Sequence, residues 1–314
     1  MIIPRFLLAL ALCLSLVACK REATKAVANP DAAAFVADGG GDGSVWVVDG
    51  PNGGRLFLCG TIHILREKDY PLAPAYEAAY MYSNKLVLEL PPGAASGSEL
   101  TSRMSQLGLY PAGTSLEANV SKETWESVKK WAAKHDLNPT PLNRLRPWFL
   151  ALMITSTEYA ALGAKPDQGV DSFFEERAKK DGKPAEGLET VEFQIQLFAS
   201  LSEKQQRELL EQTLGEISSV KEEFEKMIKA WKYGQLDDLQ EMLFREAEKY
   251  PDLMNLFLTG RNLAWIDRLE QMLKRGEKVM VLVGTGHLTS DTGLIELMRK
   301  RGHRVRHYRE VTDF

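Results

Sequence analysis

Residues 279–287 read Val279-Met280-Val281-Leu282-Val283-Gly284-Thr285-Gly286-His287, an apolar run followed by a glycine turn and a histidine. A second stretch near the start of the chain has the same order, Leu56-Phe57-Leu58-Cys59-Gly60-Thr61-Ile62-His63. The chain has five histidines, and two of them are the last residue of the same four-residue motif, Gly-Thr-x-His, which we call a frame. Because each frame follows a continuous apolar run, both runs are predicted to be strands buried on both faces.

The sequence after each frame extends the similarity. His63 is followed by a helix-like segment, 72–80, and by an apolar run that ends in Glu89. His287 is followed by residues at helical spacing, 294–298, and by a strand-like segment, 304–308. Alternation of buried strands and helices is typical of α/β folds. We therefore predict a central, mostly parallel or mixed sheet, built from N- and C-terminal halves that each read strand, Gly-Thr-x-His, helix, strand. The strand ending at Glu89 is expected to pair with the strand of the first frame.

A large helical insert is predicted between these halves, at about residues 115–275 of a domain that spans 44–314. Apolar residues recur at three and four positions through 192–231. This spacing favours a helical hairpin packed on the sheet over the alternative of a coiled-coil seam. A short strand that carries Glu186 and Glu189 is expected at 185–190, and Pro251 is expected to end a helix.

Residues 1–18 have the features of a lipoprotein signal peptide. A short positive start precedes an apolar run that is too short to span a bilayer comfortably. Leu16-Val17-Ala18-Cys19 has the form of a lipobox, so we expect cleavage before Cys19 and a lipid on its thiol. Residues 19–43 are then the lipid anchor and a flexible tether, rich in Ala and Gly. The alternative is an ordinary secretory signal cleaved near Ala18.

The remaining composition fits a protein of the cell envelope. Lys20 after the lipobox favours the periplasmic face of the outer membrane as the place of the lipid-anchored domain. Cys13 would leave with the signal, so Cys59 has no partner for an intrachain disulfide. We interpret Cys59 as a small buried apolar residue and not as a metal ligand. The net charge is −4, from 39 basic and 43 acidic residues, which indicates no basic stripe and no nucleic-acid partner.

His63 and His287 are candidate metal ligands. In parallel sheets, ligands bind beyond the carboxyl ends of the strands, where both histidines and Glu89 are expected. Two imidazoles and a carboxylate suit a divalent metal that activates water. The alternative is that each histidine is a turn residue bonded to backbone carbonyls, but the duplication favours a metal site. Gly284-Thr285-Gly286 also resembles half of a dinucleotide-binding motif, although the third glycine is absent.

Several further blocks follow in order along the chain. They are Leu86-Val87-Leu88-Glu89, Gly169-Val170-Asp171, Gly187-Leu188-Glu189-Thr190-Val191-Glu192-Phe193-Gln194 and Arg261-Asn262. With the two Gly-Thr-x-His frames, they give the chain a resemblance to the TraB/GumN family, the superfamily of PrgY and the Tiki proteases, over roughly residues 44–310. The chain departs from the pattern at Phe193, where relatives tend to have a second acidic residue.

The resemblance implies a metal-dependent peptidase with manganese, cobalt or zinc as the ion. It places His63, His287 and Glu89 at the metal, with Glu89 or Glu189 accepting a proton from water. It also implies that Arg261 holds a substrate carboxylate or stabilises an oxyanion. Asn262 is then expected to orient the water or the substrate, which would be an envelope or extracellular peptide or protein.

The main alternative function is that of a non-catalytic lipoprotein. Such a protein would sequester a peptide, haem or metal at the same cleft. A purely structural role is disfavoured by the polar residues that gather at the predicted strand ends. The apolar faces of the insert helices leave room for a homodimer, because an apolar stripe does not say which partner covers it.

Overall fold

A computed structural model describes residues 41–94, 98–244 and 251–312 of the chain. Its centre is a six-stranded mixed sheet of strand order β4-β3-β5-β2-β1-β6. The strands are β1 (Val45–Asp49), β2 (Arg55–Thr61), β3 (Lys85–Leu88), β4 (Ala185–Gly187), β5 (Lys278–Gly284) and β6 (Arg304–His307). Four strands, β2 to β5, are parallel to one another, and β1 is antiparallel to both of its neighbours. The predicted α/β class is confirmed, whereas the signal segment and Cys19 lie outside the described residues.

Most of the helices belong to a large insert between β3 and β5, and helices cover both faces of the sheet. In chain order they are α1 (Pro74–Tyr82), α2 (Ser98–Gly108), α3 (Lys122–Lys134), α4 (Pro139–Leu142), α5 (Pro147–Ala161), α6 (Val170–Asp181), α7 (Val191–Ala199), α8 (Glu203–Glu216), α9 (Val220–Lys232), α10 (Leu236–Phe244), α11 (Pro251–Met254), α12 (Gly260–Lys274) and α13 (Leu294–Lys300). Pro251, which was expected to end a helix, is the first residue of α11. No helix in the described ranges combines the length and the apolar character needed to cross a lipid bilayer.

Alternate residues of the central strands enter two separate cores. Phe57 and Cys59 of β2 pack with α1, α6 and α9 on one face of the sheet. Leu56 and Leu58 pack with α12 and α13 on the other face. Cys59 is fully buried, which confirms its apolar role. This alternation is the period-2 pattern of a strand covered by helices on both sides.

The predicted pairing of the strand that ends at Glu89 was wrong. That strand, β3, pairs with β5 and not with β2. β5 lies between them and is hydrogen-bonded to a strand on each side. Its residues from Val279 to Val283 are fully buried, which suits a central strand of the sheet. The connection from β2 through α1 to β3 therefore passes over β5, and Glu89 follows the strand next to the second frame.

Residues 192–231 form three helices, whereas a hairpin of two helices was predicted. The helical structure is interrupted between α7 and α8 at Ser202. The Ser202 side chain accepts a hydrogen bond from the backbone N–H of Gln205, and the Gln205 side chain accepts one from the backbone N–H of Ser202. This reciprocal pair is a capping box and starts a new helix. α9 packs on the sheet through Phe224 and Trp231, whereas α7 and α8 join a separate core that contains no residue of the six strands.

Candidate active site

The carboxyl ends of three neighbouring strands bring together the predicted metal ligands. His63 follows β2, Glu89 follows β3, and His287 lies in a 3₁₀ turn, Thr285–Leu288, after β5. Nε2 of His63 lies 4.0 Å from Oε1 of Glu89, and Nε2 of His287 lies 3.8 Å from the same oxygen. The backbone N–H of Gly284 donates to this oxygen at 2.7 Å. One carboxylate oxygen therefore faces both histidines.

Asn262 fixes the orientation of His287. Its amide nitrogen donates to the carbonyl oxygens of His287 (3.3 Å) and Thr292 (2.8 Å), so its Oδ1 faces Nδ1 of His287 at 2.7 Å. Because Oδ1 can only accept, Nδ1 carries the proton and Nε2 is the acceptor. Burial, together with the charge of Arg261, lowers the pKa of His287 to about 3, so the ring is neutral at physiological pH. The role of Asn262 in the described structure is thus to hold the histidine turn.

Asp171 orients His63 in the same way. Its Oδ2 lies 2.7 Å from Nδ1 of His63, which places the proton on Nδ1 and directs Nε2 toward Glu89. Gly169 allows this approach, because a Cβ there would lie 2.1 Å from the carbonyl oxygen of His63. The side chains of His63 and Asp171 are 15% and 19% exposed, so this side of the site faces solvent. The sequence contained Asp171 as part of a block but gave it no role.

Arg261 connects the two candidate catalytic carboxylates. Its Nη2 donates to Oε2 of Glu89 at 2.5 Å and to Oε2 of Glu189 at 2.8 Å, and its Nε donates to Oε1 of Glu189 at 2.8 Å. Its Nη1 donates to the carbonyl oxygen of Phe257 at 3.2 Å and to Nε2 of His287 at 2.9 Å. Phe257 belongs to a π-helical turn, Asn255–Thr259, directly before α12. All five N–H groups of this buried guanidinium therefore have protein acceptors.

The two carboxyls that share the guanidinium have opposite pKa shifts. Burial favours the neutral form of Glu89, but Arg261, the nearby histidines and the N–H of Gly284 outweigh it and hold the pKa well below its usual range. Burial raises the pKa of Glu189; the contacts with Arg261 oppose the rise, and the charge of Glu89 adds to it. Separation of two neighbouring carboxyl pKa values is a common feature of acid–base sites. Glu89 stays ionised, and Glu189 is the carboxyl that accepts a proton more readily.

Gln194 is a further member of the site to which the sequence gave no role. It lies in α7, whose first turn is capped by the Thr190 side chain. Its Nε2 lies 3.2 Å from Oε2 of Glu89 and 3.2 Å from Oε2 of Glu189. The adjacent Phe193 is exposed. The contact with Glu89 joins residues 105 positions apart, so no local sequence pattern indicates it.

Across residues 41–94, 98–244 and 251–312, no group of three or more His, Cys, Asp or Glu side chains is placed to hold a metal ion. In this site Arg261 donates hydrogen bonds to Nε2 of His287 and to Oε2 of Glu89. A bound cation would have the first of these atoms as a ligand and would lie close to the second. A cation bound by His287 would have to replace the hydrogen bond from Arg261.

Comparison with known proteins places the chain in a family. The model of the TraB/PrgY/gumN family matches residues 44–307. The chain is 23% identical over 249 residues to the uncharacterized protein YbaP of Escherichia coli K12, covering 79% of this chain and 89% of YbaP. The YbaP protein of Shigella flexneri matches with the same identity and coverage. No solved structure gives a significant match. Since the family model covers most of the chain, the protein belongs to the TraB/PrgY/gumN family.

Proposed function

We propose that this protein is a metal-dependent hydrolase, and specifically a peptidase that acts on an envelope or extracellular peptide. One observation carries the proposal. Both histidines have Nδ1 bonded to a side-chain oxygen, of Asp171 or Asn262, so that both Nε2 atoms face the same oxygen of Glu89. Fixing of one ring nitrogen by an oxygen acceptor is the usual environment of a metal-binding histidine.

The donor set suits the proposed ion. His63, His287 and Glu89 would supply two neutral imidazoles and a carboxylate, which bind manganese, cobalt or zinc. For this to happen, Arg261 must give up its contact with His287, while its contacts with Glu89 and Glu189 are retained. When bound, such an ion supplies Lewis acidity and lowers the pKa of water.

The chain's own residues supply the remaining requirements of peptide hydrolysis. Glu189 accepts the proton of the attacking water, since its raised pKa suits proton transfer better than the lowered pKa of Glu89. The buried charge of Arg261 offsets the negative charge that develops on the carbonyl oxygen. The substrate enters from the side of His63 and Asp171, the partly exposed edge of the site.

Metal content of the purified protein tests this proposal. We expect near-stoichiometric manganese, cobalt or zinc by elemental analysis, and loss of the ion in His63→Ala and in His287→Ala with unchanged circular dichroism. His303→Ala is the matched control, because His303 pairs with Glu270 away from the site and should leave the metal content unchanged. A wild-type protein that stays metal-free after reloading under reducing conditions would contradict the proposed mechanism.

Turnover separates a hydrolase from a binding protein. The metal-loaded protein is incubated with a peptide library, and products are identified by mass spectrometry. In a hydrolase, Glu189→Gln should keep the metal and lose about 100-fold or more in rate, which is the usual scale of a proton-transfer contribution. Peptide or haem binding without cleavage, with only a graded loss in Glu189→Gln, would favour the sequestering function instead.

We also propose that the domain is anchored to the outer membrane, at its periplasmic face, through a lipid on Cys19. The lipobox and the tether of residues 19–43 support this. Labelling of cells with a palmitate analogue should mark the wild-type protein and fractionate it with membranes. Cys19→Ser should lose both properties, whereas Cys59→Ser, which changes a buried core residue, should keep the label. An unlabelled wild-type protein in the soluble periplasm would point to an ordinary secretory signal.

A further inference from the structure

Gln194 has a polar atom that no part of the site satisfies. The side chain is 2% exposed, and its amide nitrogen donates to Glu89 and Glu189. These two contacts fix the orientation of the amide, because rotation would place Oε1 against two carboxylate oxygens. Oε1 is buried and has no hydrogen-bond partner in the described part of the chain. A buried acceptor without a donor is destabilising, so this position requires an explanation.

The neighbouring donors are already engaged. Arg261 uses all five of its N–H groups for Glu89, Glu189, His287 and Phe257. The two histidines donate through Nδ1 to the side chains that orient them. The donors of these three side chains are thus used, and a molecule that binds in the site can supply one for Oε1.

We infer that Gln194 is a positioning residue whose Oε1 accepts a hydrogen bond from an O–H or N–H donor of a molecule bound next to the two carboxylates. The inference rests on the proposed function, which makes Glu89 and Glu189 parts of a hydrolytic site. Two sources supply this chemistry: a water molecule held in the resting protein, and a backbone N–H of the bound peptide. In both cases the amide nitrogen keeps the carboxylates in place while the carbonyl oxygen orients the reactant.

A crystal structure of the full-length resting protein, at a resolution that shows ordered water, is the first arm of the test. We expect a water at about 2.7–3.2 Å from Oε1 of Gln194. An amide rotated so that Oε1 meets a protein N–H, or the absence of density at that distance, would overturn the inference. This result does not depend on turnover, so it decides the role of Gln194 even if no peptide is cleaved and the proposed function fails.

Kinetics form the second arm and distinguish the two sources. A cleaved peptide is compared with versions N-methylated at one backbone position at a time. If a peptide N–H replaces the water, one methylated version should show a KM about 10-fold higher with wild type, roughly the value of one hydrogen bond, and Gln194→Met should lose this discrimination. If all versions behave alike and Gln194→Met lowers kcat without changing KM, water is the donor throughout. A Gln194→Met protein with unchanged kcat and KM would contradict the inference.

Gln206→Met is the matched folding control. Gln206 is another buried glutamine, and its amide donates to the carbonyl oxygen of Leu201 in the helical core, away from the site. Both variants should unfold at a lower temperature than wild type because each loses buried hydrogen bonds. Only Gln194→Met should change the kinetic parameters, and this separates positioning from general stability.

Discussion

Arg261→Leu is expected to destabilise the protein by about 3–5 kcal/mol at neutral pH, the usual effect of removing one partner from a buried charge network. The substitution leaves Glu89 and Glu189 buried without their shared cation. In wild type, Arg261 holds the pKa of Glu89 well below its ordinary value of 4.5, so Glu89 adds no pH dependence above that value. In the variant, burial would raise the pKa of both carboxyls, and protonation would relieve the repulsion.

The sign of the pH effect follows from linkage. A group whose pKa is higher in the folded state stabilises the fold below its unfolded pKa and loses that contribution as pH rises. The difference between Arg261→Leu and wild type, measured by urea unfolding, should therefore shrink as pH falls from about 8 to about 5. Adding Glu89→Gln and Glu189→Gln to Arg261→Leu should restore part of the stability at neutral pH, since it removes the uncompensated charges.

The control is Arg268→Leu in the same helix. Arg268 is partly exposed and pairs with Glu186 and the carbonyl oxygen of Gly187. Exposed pairs contribute little, so the loss should be about 1 kcal/mol or less, with no pH dependence of its own in the same range. A similar small, pH-independent loss for Arg261→Leu would show that the guanidinium does not hold the two carboxylates.

The sequence predicted the parts of the site that follow buried strands. His63, Glu89 and His287 each come directly after an apolar run, and parallel strands end at the same edge of a sheet, so their proximity follows from the pattern alone. Arg261 and Asn262 were predicted as site residues only from the family resemblance. The order of the strands was not predictable, because an apolar run shows that a strand is buried and does not show which neighbours it has.

Asp171 and Gln194 show why the rest of the site escaped prediction. Each lies near the start of a helix in the insert and contacts a residue more than 100 positions earlier in the chain, His63 or Glu89. Helix periodicity reports the apolar face that packs in the core. It carries no information about a polar side chain near a helix start, whose partner is set by how the insert folds back over the sheet. The residues that position the ligands are therefore harder to find than the ligands.

Gly284→Ala is expected to weaken metal binding and hydrolysis strongly while leaving the fold intact. A Cβ at this position would lie 3.2 Å from Nε2 of His63, 3.3 Å from Oε1 of Glu89 and 3.8 Å from Cδ2 of His287. The methyl group would thus enter the space that the three candidate ligands share. Metal affinity should fall about 100-fold, at the upper end of the usual effects of disturbing a metal environment, with a parallel loss of peptide hydrolysis.

The backbone accepts this substitution, so the loss can be assigned to the site. Gly284 has φ −49° and ψ 135°, a conformation open to alanine, and its N–H can still donate to Glu89. The unfolding free energy should change by less than about 1 kcal/mol. Gly286→Ala is the control two residues away, because the nearest atoms to its Cβ would belong to apolar side chains at 3.7 Å, and it should keep both metal and turnover. If Gly284→Ala also keeps them, His63, Glu89 and His287 do not share a ligand, and the duplicated frame serves the fold alone.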